Sequence, residues 1–274
     1  MDTFLLVMIL FVLLLLQYVA FIRPGTESMG ATEQEVEGPM DGDELAERIV
    51  STRAITIHAP VSGVWYWLIQ IGADRAGFFS YSFLERAMGY IFSENYEPSE
   101  SPDFEIGRVI PTSLDESKSL FVFQFPVTAA DPERYFVLEG WGAFIVQEIK
   151  PDKTRLIVRN HGRKPKTLWN WFEYCFGTPL HYVMERRMMM GIKQRVEAGA
   201  GERLSSTSDN LWLAGLILSA AAITLLVFSG GGLVGMGLSI LFSSIWLWTF
   251  LIFKPRPEYS LALFSLAAAA LLIL

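Results

Sequence analysis

Nineteen consecutive residues without a charge, 4–22 (FLLVMILFVLLLLQYVAFI), stand at one end of this 274-residue chain, and three further apolar runs crowd the other end. A helix rises about 1.5 Å per residue, so such a run covers roughly the 30 Å hydrocarbon core of a bilayer. Residues 211–228 and 233–253 give runs of 18 and 21 residues, separated by Ser229 and three glycines, and residues 259–274 add 16 more, short for a span. About 190 residues of ordinary composition lie between the first run and the last three. The mean hydropathy of +0.34 is the average of these two kinds of sequence. The sequence therefore predicts about four transmembrane helices around one folded block.

A cleaved signal peptide is the competing reading of the first run, with a small-x-small site at Ser28 and Gly30. Against it, the residues before the run carry Asp2 and no Lys or Arg, and the run exceeds what a signal core needs. Arg23, Arg203, Lys254 and Arg256 flank the runs on the side that also holds the large block. Residues 1–3, 229–232 and the C-terminus hold no Lys or Arg. Basic residues stay on the cytoplasmic side. An integral membrane protein with a cytoplasmic block and both termini outside is the consistent prediction. No Asp, Glu, Lys, Arg or His interrupts any run, which disfavours ion or proton transport through the spans themselves. Gly231, Gly235, Ser239 and Ser243 form a stripe of small residues suited to close helix packing.

Within the block, residues 24–50 hold eight acidic side chains among Gly and Pro and read as a solvated linker, so the folded domain is placed at 51–200. Residues 53–59 alternate and are β-branched, as a strand requires. Pro60 then opens a helix over 61–71, and a second short helix over 81–89 stops at Gly89. Past an acidic, proline-containing loop (93–107), strands are predicted at 108–111, 119–125, 134–138, 141–149 and 155–159. Consecutive strands without intervening helices imply an antiparallel sheet. A long helix over 179–197 closes the block. Its wheel places Leu180, Val183, Met184, Met188 and Gly191 on one side and Arg186, Lys193 and Glu197 on the other.

Residues 60–85 (PVSGVWYWLIQIGADRAGFFSYSFLE), 154–159 (TRLIVR) and 182–188 (YVMERRM) resemble START-like (SRPBCC) proteins of the polyketide cyclase/dehydrase type. The resemblance covers about residues 51–198 and leaves the apolar runs aside. It implies an α+β helix-grip domain, in which a curved antiparallel sheet wraps the long C-terminal helix and encloses a cavity for a lipid or other hydrophobic small molecule. Some such proteins are enzymes; no catalytic residue set is carried over, and the catalytic residues stay unknown.

Among residues with chemical potential, His58, His161 and His181 are far apart and in no ligand spacing, so no metal is expected, and no dinucleotide or phosphate-loop motif calls for a cofactor. His58 reads as a surface or supporting residue and His181 as a helix-end residue or a general base. Cys175, the lone cysteine, sits among aromatics and reads as a buried thiol. A net charge of −7 excludes a general nucleic-acid partner. Arg75 either anchors its loop through Asp74 or Glu85 or holds a polar head group at the cavity mouth. Phe79, Phe121, Phe123 and Phe125 supply aromatic surface, and Met184 and Met188 supply adaptable surface, as cavity wall or as plain core. Glu185 and Arg187, on different sides of the long helix, read as members of structural pairs. Arg163, Lys164 and Lys166, followed by Trp169 and Trp171, either dock the domain on the leaflet or cap the sheet. The expected partners are a hydrophobic small molecule or lipid and the membrane. An enzyme of the cyclase/dehydrase kind and a non-catalytic membrane scaffold are the alternatives.

Overall fold

A computed structural model describes residues 3–93, 104–120, 122–164, 166–168, 178–198, 206–229, 232–252, 254 and 256–273. In chain order its principal elements are α1 (Thr3–Gln17), α2 (Arg23–Glu27), α3 (Glu33–Glu37), β1 (Arg48–Ile57), α4 (Val61–Leu68), α5 (Ser82–Ala87), β2 (Val109–Pro111), β3 (Gln124–Asp131), β4 (Tyr135–Leu138), β5 (Gly142–Lys150), β6 (Lys153–Gly162), α6 (Thr178–Ala198), α7 (Thr207–Phe228), α8 (Gly232–Trp248) and α9 (Pro257–Ile273). They form two compact units, Met1–Thr26 with Ser205–Leu274, and Glu27–Leu204.

The first unit is helical. A π-helical turn over Tyr18–Ile22 joins α1 to α2. Among the described residues, three stretches are long and apolar enough to cross a membrane, Val7–Glu27, Thr207–Phe228 and Gly232–Leu251, while α9, at 17 residues, is shorter. Gln17 ties α1 to α8: its Nε2 donates to Ser244 Oγ (2.9 Å) and its Oε1 accepts from Trp248 Nε1 (3.2 Å). The first apolar helix is thus bonded into the bundle. A close helix approach also lies off the anticipated stripe. A Cβ on Gly215 of α7 would clash with Ser260 Oγ and sit 2.9 Å from Ser260 Cβ on α9. Ser219 Oγ donates across the same seam to Ser260 O (3.1 Å) and to Gly215 O in its own helix (2.6 Å). Of the stripe, Gly235, Ser239 and Ser243 are buried, and Gly231 lies outside the described residues.

The second unit is α+β, built on a curved six-stranded antiparallel sheet of order β1-β6-β5-β4-β3-β2. Five consecutive buried residues in β5 and again in β6 show that both faces of the sheet are covered. α4 and α6 pack on one face. There Trp65 meets Phe136 edge-on (5.8 Å between centroids), and Phe136 stacks on Phe144 (4.9 Å).

Residues 29–46 cover the other face, which corrects the expectation of a solvated linker over 24–50. Ala31 and Met40 pack on Ala54, Val137, Ala143, Ile145 and Ile157. Arg155 and Arg159, four apart on β6 and so on the same face, hold this strap through charge-assisted bonds. Arg155 Nε and Nη2 reach Glu35 Oε1 and Oε2, both at 2.7 Å. Arg159 Nε reaches Asp43 Oδ1 (2.7 Å), and its Nη1 and Nη2 donate to Glu35 O (2.8 Å) and Gly38 O (3.2 Å). Glu35 also closes a capping box with Thr32 at the start of α3. Two of the eight acidic residues that suggested a solvated segment, Glu35 and Asp43, are the partners of two arginines on the sheet.

β1 is an edge strand whose open side is engaged at alternate residues from Ala54 onward. The Ala54 amide donates to Met29 O (3.1 Å), Thr56 O accepts from Lys193 Nζ (2.6 Å), and the His58 amide donates to Glu197 Oε1 (2.8 Å). Lys193 and Glu197, placed by the wheel away from the apolar side of α6, thereby block edge-to-edge pairing. Arg186, placed with them, is instead buried (1 % exposed), its guanidinium 5.6 Å from the Tyr182 ring. The strand expected at 119–125 is displaced: β3 begins at Gln124 and runs through Pro126. Pro126 pairs with Val109, and its carbonyl accepts from the Glu139 amide.

Candidate ligand cavity

A cavity of about 160 Å³ lies between α6, the 78–90 segment and the start of β3. Its apolar walls come from Phe78, Phe123, Phe125, Trp141, Met184 and Met188, and its polar positions from Ser80, Glu85, Tyr90, Thr112, His181 and Glu185. Trp141 is the hub. It stacks on Phe78 (6.0 Å), tilts against Phe125 (5.0 Å) and meets the His181 ring edge-on (5.4 Å).

Glu185 forms the charged floor, completely buried on the inner face of α6. Its Oε1 accepts from Arg53 Nη1 on β1 (2.7 Å) and from Asn160 Nδ2 on β6 (3.2 Å). Its Oε2 accepts from Trp141 Nε1 (3.0 Å) and lies 3.7 Å from His181 Nε2. Burial pushes the Glu185 pKa up. The attraction of Arg53 and His181, with the bonds from Arg53 and Trp141, outweighs burial, so the carboxylate titrates below its ordinary value. Burial pushes His181 down; Glu185 pulls it up and Arg53 pushes it down again, for a net value below the ordinary one. The floor is therefore an ion pair beside a neutral imidazole. Tyr90 is pushed up, by burial and by the nearby Glu85 charge.

Four of the residues expected from sequence to form the cavity wall, Phe123, Phe125, Met184 and Met188, line this cavity. Phe123 and Phe125 stack with rings 8° from parallel; Phe121 lies outside the described residues. Two residues are placed differently. Arg75 is not in the lining and anchors its loop, Nη1 donating to Ile69 O (2.7 Å), while its neighbour Asp74 pairs with Arg108 (2.7 Å). Phe79 turns away from the cavity, its ring 6.2 Å from Trp67 and 4.6 Å from the Arg195 guanidinium. Phe78 takes its place. Left-handed backbone at Gly77 and Phe79 (φ 73° and 55°) turns the chain there. Gly191 admits it, since a Cβ on Gly191 would sit 2.5 Å from Phe79 O.

Of the docking residues, Arg163, Lys164 and Lys166 are exposed, Arg163 lying 3.8 Å from Glu139, and Trp169 and Trp171, like Cys175, fall outside the described residues. His58 is exposed, with Nδ1 3.1 Å from Glu197. Arg187 is buried and donates to Gln194 Oε1 (3.4 Å). Sequence reasoning read Glu185 as a member of a structural pair but missed its partners Arg53, Trp141 and Asn160. The available signal was an arginine within a β-branched, apolar strand and a glutamate between Met184 and Met188 on the same side of a helix, each of which needs a partner when buried. No group of three or more His, Cys, Asp or Glu residues forms a metal site among the described residues. Compared with models of known protein families and with curated proteins, the chain matches none.

Proposed function

We propose that this protein is a membrane-anchored, START-like binding module that takes a hydrophobic small molecule, or one apolar portion of a lipid, into the cavity of its α+β unit. The aromatic and methionine-lined pocket beside α6 carries this reading, because a concave, mostly apolar lining with a few polar groups is what a small-molecule site requires. Two further features support it. A strand, two short helices, a run of antiparallel strands and a closing long helix follow the helix-grip order, and the long helix faces the sheet across the void. The flanking basic residues Arg23, Arg203, Lys254 and Arg256 favour a cytoplasmic location for the unit. Anchoring at both ends holds the cavity at high effective concentration relative to membrane-dissolved ligand.

The decisive experiment is native mass spectrometry of the full chain released from nanodiscs, comparing the parent with Met188→Trp. Met188 is buried and lines the void. A bound apolar molecule in the parent, displaced in the variant with little change in melting temperature, supports the reading. A parent without adducts, and a variant destabilised by the roughly 1–3 kcal/mol typical of overpacking, refutes it.

One observation favours an enzyme as second reading: His181, kept neutral, stands in the cavity lining with a carboxylate 3.7 Å behind it, as a general base would. Turnover of a bound molecule, lost in His181→Leu with binding retained, distinguishes this reading from simple carriage.

A further inference from the structure

The cavity has an outer end and an inner one. Phe123, 52 % exposed, stands at the surface, and Trp141, 8 % exposed, stands at the inner end. Beyond Trp141 the face of the sheet is packed with rings. Trp141 meets Phe144 edge-on (5.3 Å), Phe144 stacks on Phe136, and Phe136 meets Trp65. Phe136 and Phe144 are completely buried. The indole is thus the partition between the cavity and the core.

This partition is held from several sides. The Trp141 amide donates to Leu138 O (3.1 Å), and its carbonyl accepts from the His161 amide (2.9 Å). Its Nε1 donates to Glu185 Oε2 (3.0 Å), and Glu185 is itself tied to Arg53 and Asn160. Phe78 stacks against the indole. Swinging the indole aside to lengthen the cavity would leave a buried carboxylate one donor short, which is costly. A volume near 160 Å³ is close to that of apolar cavities that hold one benzene ring. Close-packed surroundings yield little to a group that exceeds the space.

Resting on the cavity reading above, we propose that Trp141 sets the size limit of the ligand: the portion that enters is one ring or a short branched alkyl group, and fused rings or the full length of an acyl chain are refused.

The full chain in nanodiscs is titrated with fluorobenzene and 1-fluoronaphthalene, followed by fluorine NMR, each referred to its own partition into empty nanodiscs. The parent is expected to bind fluorobenzene about tenfold or more tightly than 1-fluoronaphthalene, the discrimination that a difference of one carbon group reaches in an apolar pocket. Trp141→Leu removes the bulk of the indole and should bring the two probes to within about threefold of each other. Trp141→Phe, which keeps an aromatic ring and so the packing around it, should narrow the gap by at least about threefold, and it carries the test if Trp141→Leu does not fold. Met184→Ala removes bulk from a partly exposed lining position and should leave the discrimination of the parent within about twofold. Equal binding of both probes by the parent, or tighter binding of 1-fluoronaphthalene, overturns the size limit and leaves the cavity reading standing. Discrimination unchanged in the folded Trp141 variants, or lost equally in Met184→Ala, overturns the assignment to Trp141. Absence of saturable binding for both probes overturns the size limit and the cavity reading together.

Discussion

Replacing Arg53 with methionine leaves the Glu185 carboxylate in the floor of the cavity without the cation that now lies 2.7 Å away. The side chains are 2 % and 0 % exposed, so water cannot take over the lost interaction. Glu185 keeps its bonds from Trp141 and Asn160, but neither carries a charge. Removing one partner of a buried pair typically costs about 3–5 kcal/mol. For a unit of 150–250 residues each kcal/mol moves the melting temperature by roughly 2–4 °C, so a drop of about 6–20 °C is expected at pH 7.

The pH dependence adds a second check. In the parent, Glu185 titrates below its unfolded value, so its contribution is present above about pH 4.3 and fades as the pH falls through the folded value. In Arg53→Met, burial dominates and the folded value rises above the unfolded one. The penalty should then shrink on going from pH 7 to pH 5, as Glu185 becomes protonated. The double variant Arg53→Met with Glu185→Gln removes both charges and should recover most of the loss. Thermal unfolding of the full chain in detergent, followed by near-ultraviolet circular dichroism, reads all three. A single variant that melts within 2 °C of the parent, or a double variant no better than the single, refutes the coupling.

Three further outcomes are expected. Glu35 titrates below its ordinary value, because its bonds to Arg155 and Thr32 outweigh the upward push of partial burial. Hydrogen-exchange protection of residues 29–46 should therefore be full above about pH 4.3, fall as the pH drops below it, and lose this dependence in Glu35→Gln. Gly215→Ala places a methyl group against Ser260 and should lower bundle stability by about 1–3 kcal/mol. Gly237→Ala, with open space around it, should be neutral or gain up to about 1 kcal/mol in helix propensity; thermal unfolding in detergent separates the two. In a Cys175→Ser background, a cysteine at exposed Glu33 should label only from the cytoplasmic side and one at exposed Leu233 only from outside; the reverse pattern would invert the proposed topology.

The long apolar helices and the strand-rich block were legible in the sequence because each rests on a local rule. Nineteen residues without a charge can be satisfied only inside a bilayer or a core, and a helix is how such a run satisfies its own backbone there. The chain order of strand, helices, strands and long helix followed from periodicity and from stops such as Gly89, which does take φ 84°. What resisted were features that depend on distant partners. Residues 29–46 looked solvated because acidic side chains among Gly and Pro usually are, and nothing local says that Arg155 and Arg159, some 120 positions away, will meet them. Arg186 was assigned to the solvent side by the helix wheel, which cannot know that the opposite side of α6 is covered too.

The same division runs through the cavity. Sequence determined which residues were available to build it: phenylalanines two apart, methionines on one side of a helix, and charged residues too apolar in their surroundings to stay unpaired. Tertiary structure decided which of them meet. A one-residue choice between Phe78 and Phe79 turns on backbone angles and on the room that Gly191 leaves. The neutrality of His181 turns on burial and on charges brought from β1 and from the next turn of its own helix. Contacts between residues far apart in the chain form only when the sheet registers and α6 closes over it, and desolvation energies are set by that closure.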